Sequence, residues 1–256
     1  MMLLRWLAVL ALLHVGSAQA QMNSFFPGPG SPAASASPPS ITYAGTVTGS
    51  TSASPQTTTF TVGATTLNML IVKYSGATNL QPVSMSAAPN VGTTVSCTSV
   101  DYVQTASNVD AGIYYCLLLS DANTATTVTI SLSWGASNPF GARQVSLWYL
   151  PAGSLSSTTP VDHKTNFTNS SGTALSIGLN TSAGGFYVVG GASNGLIASG
   201  VSYTAGETVT TDTFVAAAGA VHAAGNAQNV AAQAPDTITQ TFVGSSTMVL
   251  VGASWR

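Results

Sequence analysis

Charge is what this sequence lacks most. Its 256 residues include five Lys/Arg and seven Asp/Glu, so 5% of its side chains are charged, against about a quarter in ordinary soluble domains. Nucleic-acid binding needs clustered Lys and Arg to neutralise phosphate, and a formal net charge of −2 excludes it. Polybasic attachment to anionic lipid is excluded on the same ground. Helical periodicity is missing too, because no segment carries an apolar stripe at 3.6-residue spacing with polar flanks. The apolar run near the N-terminus is too short to cross a membrane as a helix, which takes about 20 residues. Cysteine occurs twice, as Cys97 and Cys116.

What is present starts with an export signal. Arg5 supplies the positive flank, Trp6 to Val15 the apolar run, and Ala18-Gln19-Ala20 a small-x-small cleavage site, so residues 1–20 read as a signal peptide. Residues 21–40 are rich in Pro, Ser, Gly and Ala and show no periodic apolar pattern. They read as a flexible, partly polyproline linker. Residues 41–256 form the folded part. Hydrophobic residues make up 45% of the chain, which separates it from charge-poor disordered sequences.

From Ile41 onward the period is two. Val128, Ile130, Leu132 and Trp134 alternate with Thr127, Thr129, Ser131 and Ser133, the pattern of a half-buried strand. Val145, Leu147 and Tyr149 alternate with Ser146 and Trp148, and Leu175, Ile177 and Leu179 with Ser176 and Gly178. Met69-Leu70-Ile71-Val72, Phe186-Tyr187-Val188-Val189 and Met248-Val249-Leu250-Val251 are continuous apolar runs, suited to central strands. The Ala-rich stretch 214–234 carries Gly219 and Gly225 and reads as closely packed strand. No internal repeat stands out, although Gly-Ala-Ser-Asn occurs at 135–138 and 191–194. Short strands joined by Gly, Ser and Asn turns predict an all-β domain, here a single two-sheet antiparallel β-sandwich. In composition and strand rhythm, 41–256 resembles the Thr/Ser/Gly-rich jelly-roll sandwich domains, of concanavalin-like type, of bacterial secreted proteins and phage surface proteins. That resemblance implies the jelly-roll topology and carries no site residues.

Cys97 and Cys116 flank a predicted hairpin that turns near Ala106-Ser107. Export to an oxidising compartment predicts a disulfide between them, the alternative being two buried thiols. Asp110-Ala-Gly-Ile-Tyr-Tyr-Cys116 resembles strand F of immunoglobulin variable domains, with Tyr114 two residues before the Cys. The likeness ends there, because the partner Cys is only 19 residues upstream and no Trp lies between the two.

Chemistry has few candidates. Gly191-Ala-Ser193-Asn-Gly195 matches the nucleophile-elbow pattern, with Asp212 and His222 following in the hydrolase order, but an elbow must lead into a helix and this segment reads as strand. His163 and His222 lack partners at metal-ligand spacing. No local motif pairs two of the seven carboxylates for glycoside hydrolysis. Asn166, Asn169 and Asn180 head glycosylation sequons, which arise easily in a Ser/Thr-rich chain. Aromatic residues give the binding candidates. Trp134, Trp148 and Tyr203 could stack on sugar rings or be core and cross-strand residues. The terminal alternation Val249, Val251, Ala253, Trp255 also fits the last strand of an outer-membrane β-barrel, the competing architecture.

The expected function is that of a secreted, periplasmic or cell-surface module. It is non-enzymatic, needs no cofactor or metal, and serves adhesion, glycan contact or surface assembly. Self-association and a secreted serine or carboxylate hydrolase are the alternatives.

Overall fold

The computed structural model describes residues 38–49, 54–63, 67–77, 80–106, 109–118, 125–135, 143–151, 155, 157–194, 200–217 and 220–256. The expected signal peptide and nearly all of the linker lie outside them. Among the described residues the chain forms strands and no helix. The first nine strands are β1 (Thr42–Gly49), β2 (Gln56–Thr61), β3 (Leu67–Gly76), β4 (Ser84–Pro89), β5 (Val95–Ser96), β6 (Thr98–Gln104), β7 (Asp110–Leu117), β8 (Thr127–Ser133) and β9 (Arg143–Pro151). Six follow: β10 (Asp162–Thr181), β11 (Gly185–Asn194), β12 (Val201–Thr204), β13 (Thr210–Ala217), β14 (Ala220–Val230) and β15 (Gln233–Trp255).

These strands make three sheets, not the single facing pair expected. Sheet I has the order β1-β9-β3-β7-β6 and sheet II the order β2-β8-β4-β5. Sheet III runs β10-β15-β11-β14-β13, with β12 added on β15. Every pairing is antiparallel, and the strand orders have two ends, so the β-barrel alternative is corrected to open sheets. The third sheet arises because sheet I is apolar on both faces. Leu70, Val72, Tyr74, Val145 and Leu147 pack against Phe60, Met85, Val128, Ile130 and Leu132 of sheet II. Met69, Ile71, Ile113, Trp148 and Leu150, on the other face, pack against Phe186, Val188, Val249, Val251 and Trp255 of sheet III. The continuous apolar runs in β3 and β9 are the sequence form of this double burial.

Sheet III supplies its own cover. β10 and β15 form one ladder from Asp162↔Ser254 to Thr181↔Gln233, with register shifts at 168–174. Beyond those shifts the ribbon folds back over β11 and β14. Ile177, Leu179, Ile238 and Phe242 therefore pack on Tyr187, Val189, Val221 and Leu250. The fold-back is tight enough that a Cβ on Gly252 would lie 2.5 Å from Ile177 Cδ1.

This geometry doubles the topology. The near half of β10 stands to the near half of β15, then β11, β14 and β13, as β1 stands to β9, β3, β7 and β6. The far halves of β10 and β15, with β12, repeat β2, β8 and β4. Registers agree as well. Thr42 faces Tyr149 as Asp162 faces Ser254, Val72 faces Leu147 as Val189 faces Gly252, and Val72 faces Tyr114 as Val189 faces Gly225. The two halves meet face to face, with β3 on β11, β1 beside β13 and β6 beside β10. This is the pattern of a two-fold, isologous contact. The Gly-Ala-Ser-Asn repeat has no part in it, because 191–194 lies in β11 while 135 follows β8.

Candidate functional site

Two polar clusters interrupt the apolar packing. The first lies between the halves. Lys73 sits in the middle of β3, inside an apolar run, and is fully buried. Its Nζ donates to Ser75 Oγ at 2.6 Å, to Gln144 Oε1 at 3.1 Å and to the Gly191 carbonyl of the opposite half at 3.1 Å. Ser75 Oγ lies 2.9 Å from His222 Nδ1, and Gln144 Nε2 donates to Thr213 Oγ1 at 3.4 Å. Glycine makes the space, since a Cβ on Gly190 would stand 2.8 Å from Lys73 Cε and 2.7 Å from the Ala223 carbonyl. Burial holds the Lys73 amine well below its ordinary value. Burial, reinforced by the positive charge of Lys73, lowers His222 to about 3. His222 is therefore neutral at physiological pH, and Ser75 can donate to its Nδ1. Ser75 and His222 have the distance of a nucleophile and its base. Both are completely buried between two sheets, and the pair ties the halves together instead of facing a substrate.

The second cluster lies at one end of the first half. Arg143, at the start of β9, donates from Nη1 to Gln56 Oε1 at 2.8 Å. Its guanidinium carbon stands 4.2 Å from the Trp134 ring centroid, a cation–π contact. Tyr102 Oη lies 2.9 Å from Asp110 Oδ2 and 3.1 Å from Gln104 Oε1. Tyr74 Oη is 3.5 Å from the same carboxylate oxygen. Burial, then the Asp110 charge, raises the Tyr102 phenol above its ordinary value, so it stays protonated. A cavity of about 350 Å³ adjoins this row, between the end of β1 and the start of β2, and Gln56 is in its wall.

The sequence-predicted residues fall elsewhere or inside. Trp134 is 2% exposed and donates from Nε1 to the Leu80 carbonyl at 3.0 Å. The loop expected to display it continues into 136–142, outside the described residues. Trp148 is fully buried between the halves and donates to Asp212 Oδ2 at 3.0 Å. Tyr203 is half-buried and donates to Gln240 Oε1 at 2.9 Å. Trp134 and Trp148 therefore show no open ring face for stacking. Ser193, Asp212 and His222 do not converge. Ser193 pairs with Val221 and Met248 on one face of sheet III, while His222 projects from the other face toward Ser75. Asp212 is engaged by Trp148 and by Asn226 Nδ2 at 2.7 Å. His163 faces Asp101 at 3.0 Å on the surface. Among the described residues no three His, Cys, Asp or Glu side chains converge as a metal site. Cys97 and Cys116 form the expected disulfide, across a hairpin closed by Thr105 N to the Val109 carbonyl at 2.8 Å.

Sequence reasoning passed over Lys73, Ser75, Gln144, Arg143 and Gln56. A signal existed. In a chain so poor in charge, a Lys inside an apolar strand and an Arg opening another are conspicuous, because burying a charge is costly without partners. No family model matches this sequence, and no curated protein matches it.

Proposed function

We propose that the chain is a secreted, non-enzymatic module that works by contact with a neutral partner, a glycan on a cell or extracellular surface. Each half is read as a jelly-roll sandwich. In support, β1-β9-β3-β7 stands over β2-β8-β4-β5, and the chain alternates between the two sheets from β1 to β4 and again from β7 to β9, in the manner of that topology.

One observation carries the functional reading. Both halves turn an uncharged hydroxyl face outward at equivalent positions. In the first half, Thr57, Ser131, Ser86 and Ser96 form one cross-strand row, and Thr59 and Thr129 belong to the next. In the second, Ser176, Thr239 and Thr204 form the matching row, flanked by Thr241 and Ser202. The hydroxyls are held in rank, with Thr59 Oγ1 2.8 Å from Thr129 Oγ1 and Ser176 Oγ 2.7 Å from Thr239 Oγ1. Such a face offers donors and acceptors but no field, so it suits a neutral hydroxylated partner and repels none by charge.

The test is a glycan array read at low and at moderate salt. Binding that is nearly independent of salt supports the proposal, because screening acts on charges. Signal that falls steeply with salt, or turnover in an esterase and glycosidase screen, counts against it.

A further inference from the structure

The internal doubling provides a control that a single fold lacks. It shows which buried polar residues the architecture requires. The strand registers place Arg143 where the second half has Met248, Asp110 where it has Val221, Tyr74 where it has Gly191, and Tyr102 where it has Phe214. Gln56 lies seven residues beyond Gly49, and Leu175 seven beyond the equivalent Thr168. The second half carries no charge at these positions, with Met248, Val221 and Leu175 buried in its core, and places a buried amide of its own at this end, Gln240 beside Gly191, to which Tyr203 donates at 2.9 Å. Burying a guanidinium, a carboxylate and an amide is the more costly way to make this structure. The charged row is thus particular to the first half.

A cavity lies beside this row. We infer that the space between the ends of β1 and β2, with Gln56 fixed in its wall by Arg143, is a binding site for one neutral sugar residue. Arg143 occupies Gln56 Oε1, which leaves Nε2 as the group presented under Gly49. A Cβ at Gly49 would lie 2.5 Å from that nitrogen, so the amide takes its position only because residue 49 is glycine. Thr48, Thr57 and Thr58 also line it, and Val47 and Pro55 add apolar residues. A pyranose carries hydroxyls around a ring with apolar C–H faces, and this wall has both counterparts. Among the described residues no charged side chain lines the cavity, which disfavours ionic ligands. Its volume of about 350 Å³ lies in the range of small-ligand pockets and suits a single ring. The inference extends the glycan-contact reading to a defined site.

The experiment uses the twin half as the source of substitutions. Arg143→Met combined with Gln56→Leu installs the residues the second half carries at these positions. The full chain and this double variant are compared by saturation-transfer NMR against the methyl glycosides of glucose, galactose, mannose and N-acetylglucosamine, with thermal unfolding followed in parallel. At least one glycoside should give a saturable difference signal with the wild type. The double variant should bind it about ten-fold more weakly or worse, the loss expected when one buried polar contact is removed, and should unfold at the same or a higher temperature. Three results would overturn the inference: no signal from any of the four glycosides, an equal signal from the variant, or a variant that fails to fold. The last would show that the row is structural after all. A glycan-array signal unchanged by the swap would remove this site and leave the surface-contact proposal standing.

Discussion

His222 makes the stability of this protein depend on acid in a way that can be worked out in advance. The imidazole is fully buried between sheets I and III, 2.9 Å from Ser75 and close enough to Lys73 to feel its charge. Burial first, and the Lys73 charge second, lower its pKa from 6.5 to about 3. Below pH 6.5 the unfolded chain binds a proton at this residue, and the folded protein does not until about pH 3. Stability therefore falls as pH falls through that window and is level above it. The gap amounts to roughly 5 kcal/mol in full, at about 1.4 kcal/mol per pH unit. By linkage, about 2 kcal/mol should be gone at about pH 5 and about 3 kcal/mol at about pH 4, relative to neutral pH. Urea unfolding of the wild type and of His222→Gln, at matched ionic strength, isolates this contribution, because the carboxylates are common to both proteins. The variant starts less stable at neutral pH, since Ser75 loses its acceptor, but it should decline less on acidification. The two curves should converge by about 3 kcal/mol between neutral pH and about pH 4. Parallel decline of both proteins would refute the claim that the imidazole is buried and neutral in the folded state.

Two further outcomes follow from the packing. Cys97 and Cys116 enclose a separation of 19 residues, so Cys97→Ser with Cys116→Ser should lower stability by about 3 kcal/mol on the loop-closure account, measured by urea unfolding; a change below about 1 kcal/mol would mean that the hairpin is already ordered in the unfolded chain. Trp148→Ala should destabilise by about 3–5 kcal/mol, because the ring fills the contact between the halves and its Nε1 engages Asp212. The same variant should leave glycan-array binding of the folded fraction unchanged, and a selective loss of binding would return Trp148 to the role of a stacking residue.

Period-two alternation made the strand content legible. Thr127, Thr129, Ser131 and Ser133 alternate with buried Val128, Ile130 and Leu132 in β8 as the pattern predicts, and the Ala-rich stretch is strand in β13 and β14. The hairpin and the cysteine pair were legible for the same local reason. The number of sheets was not. Burial on both faces erases alternation, so β3 and β11 look alike as apolar runs, and nothing in either run says which surfaces cover it. The doubling was hidden because the paired positions keep face and not identity. Leu147 answers to Gly252, each facing the core of its own half, and Trp148 to Ala253, each facing the contact between the halves, so each pair keeps its side of the sheet and not its volume. The hydrolase pattern failed for a complementary reason. Ser193 and His222 look compatible along the chain, but adjacent ladder positions in β11 and β14 send them to opposite faces of sheet III.

The two halves also divide the polar residues unequally, and the inequality bears on how they work together. An isologous contact between identical sandwiches would place Lys73 against a second Lys73 near the two-fold axis, two buried amines side by side. Here the equivalent residue is Gly190, whose missing side chain admits the lysine and exposes the Gly191 carbonyl to its Nζ. A buried polar contact of this kind adds little to stability and much to orientation, because a slipped or exchanged pairing would take the Gly191 carbonyl from the amine and leave it only Ser75 and Gln144 of its own half. The second half has Met248, Val221 and Phe214 in place of Arg143, Asp110 and Tyr102, and buries its own polar residues elsewhere, among them His222, Asn226, Asp236 and Gln240. The first half carries its buried charge at one end, with the stability of the whole assembly offsetting what that charge costs.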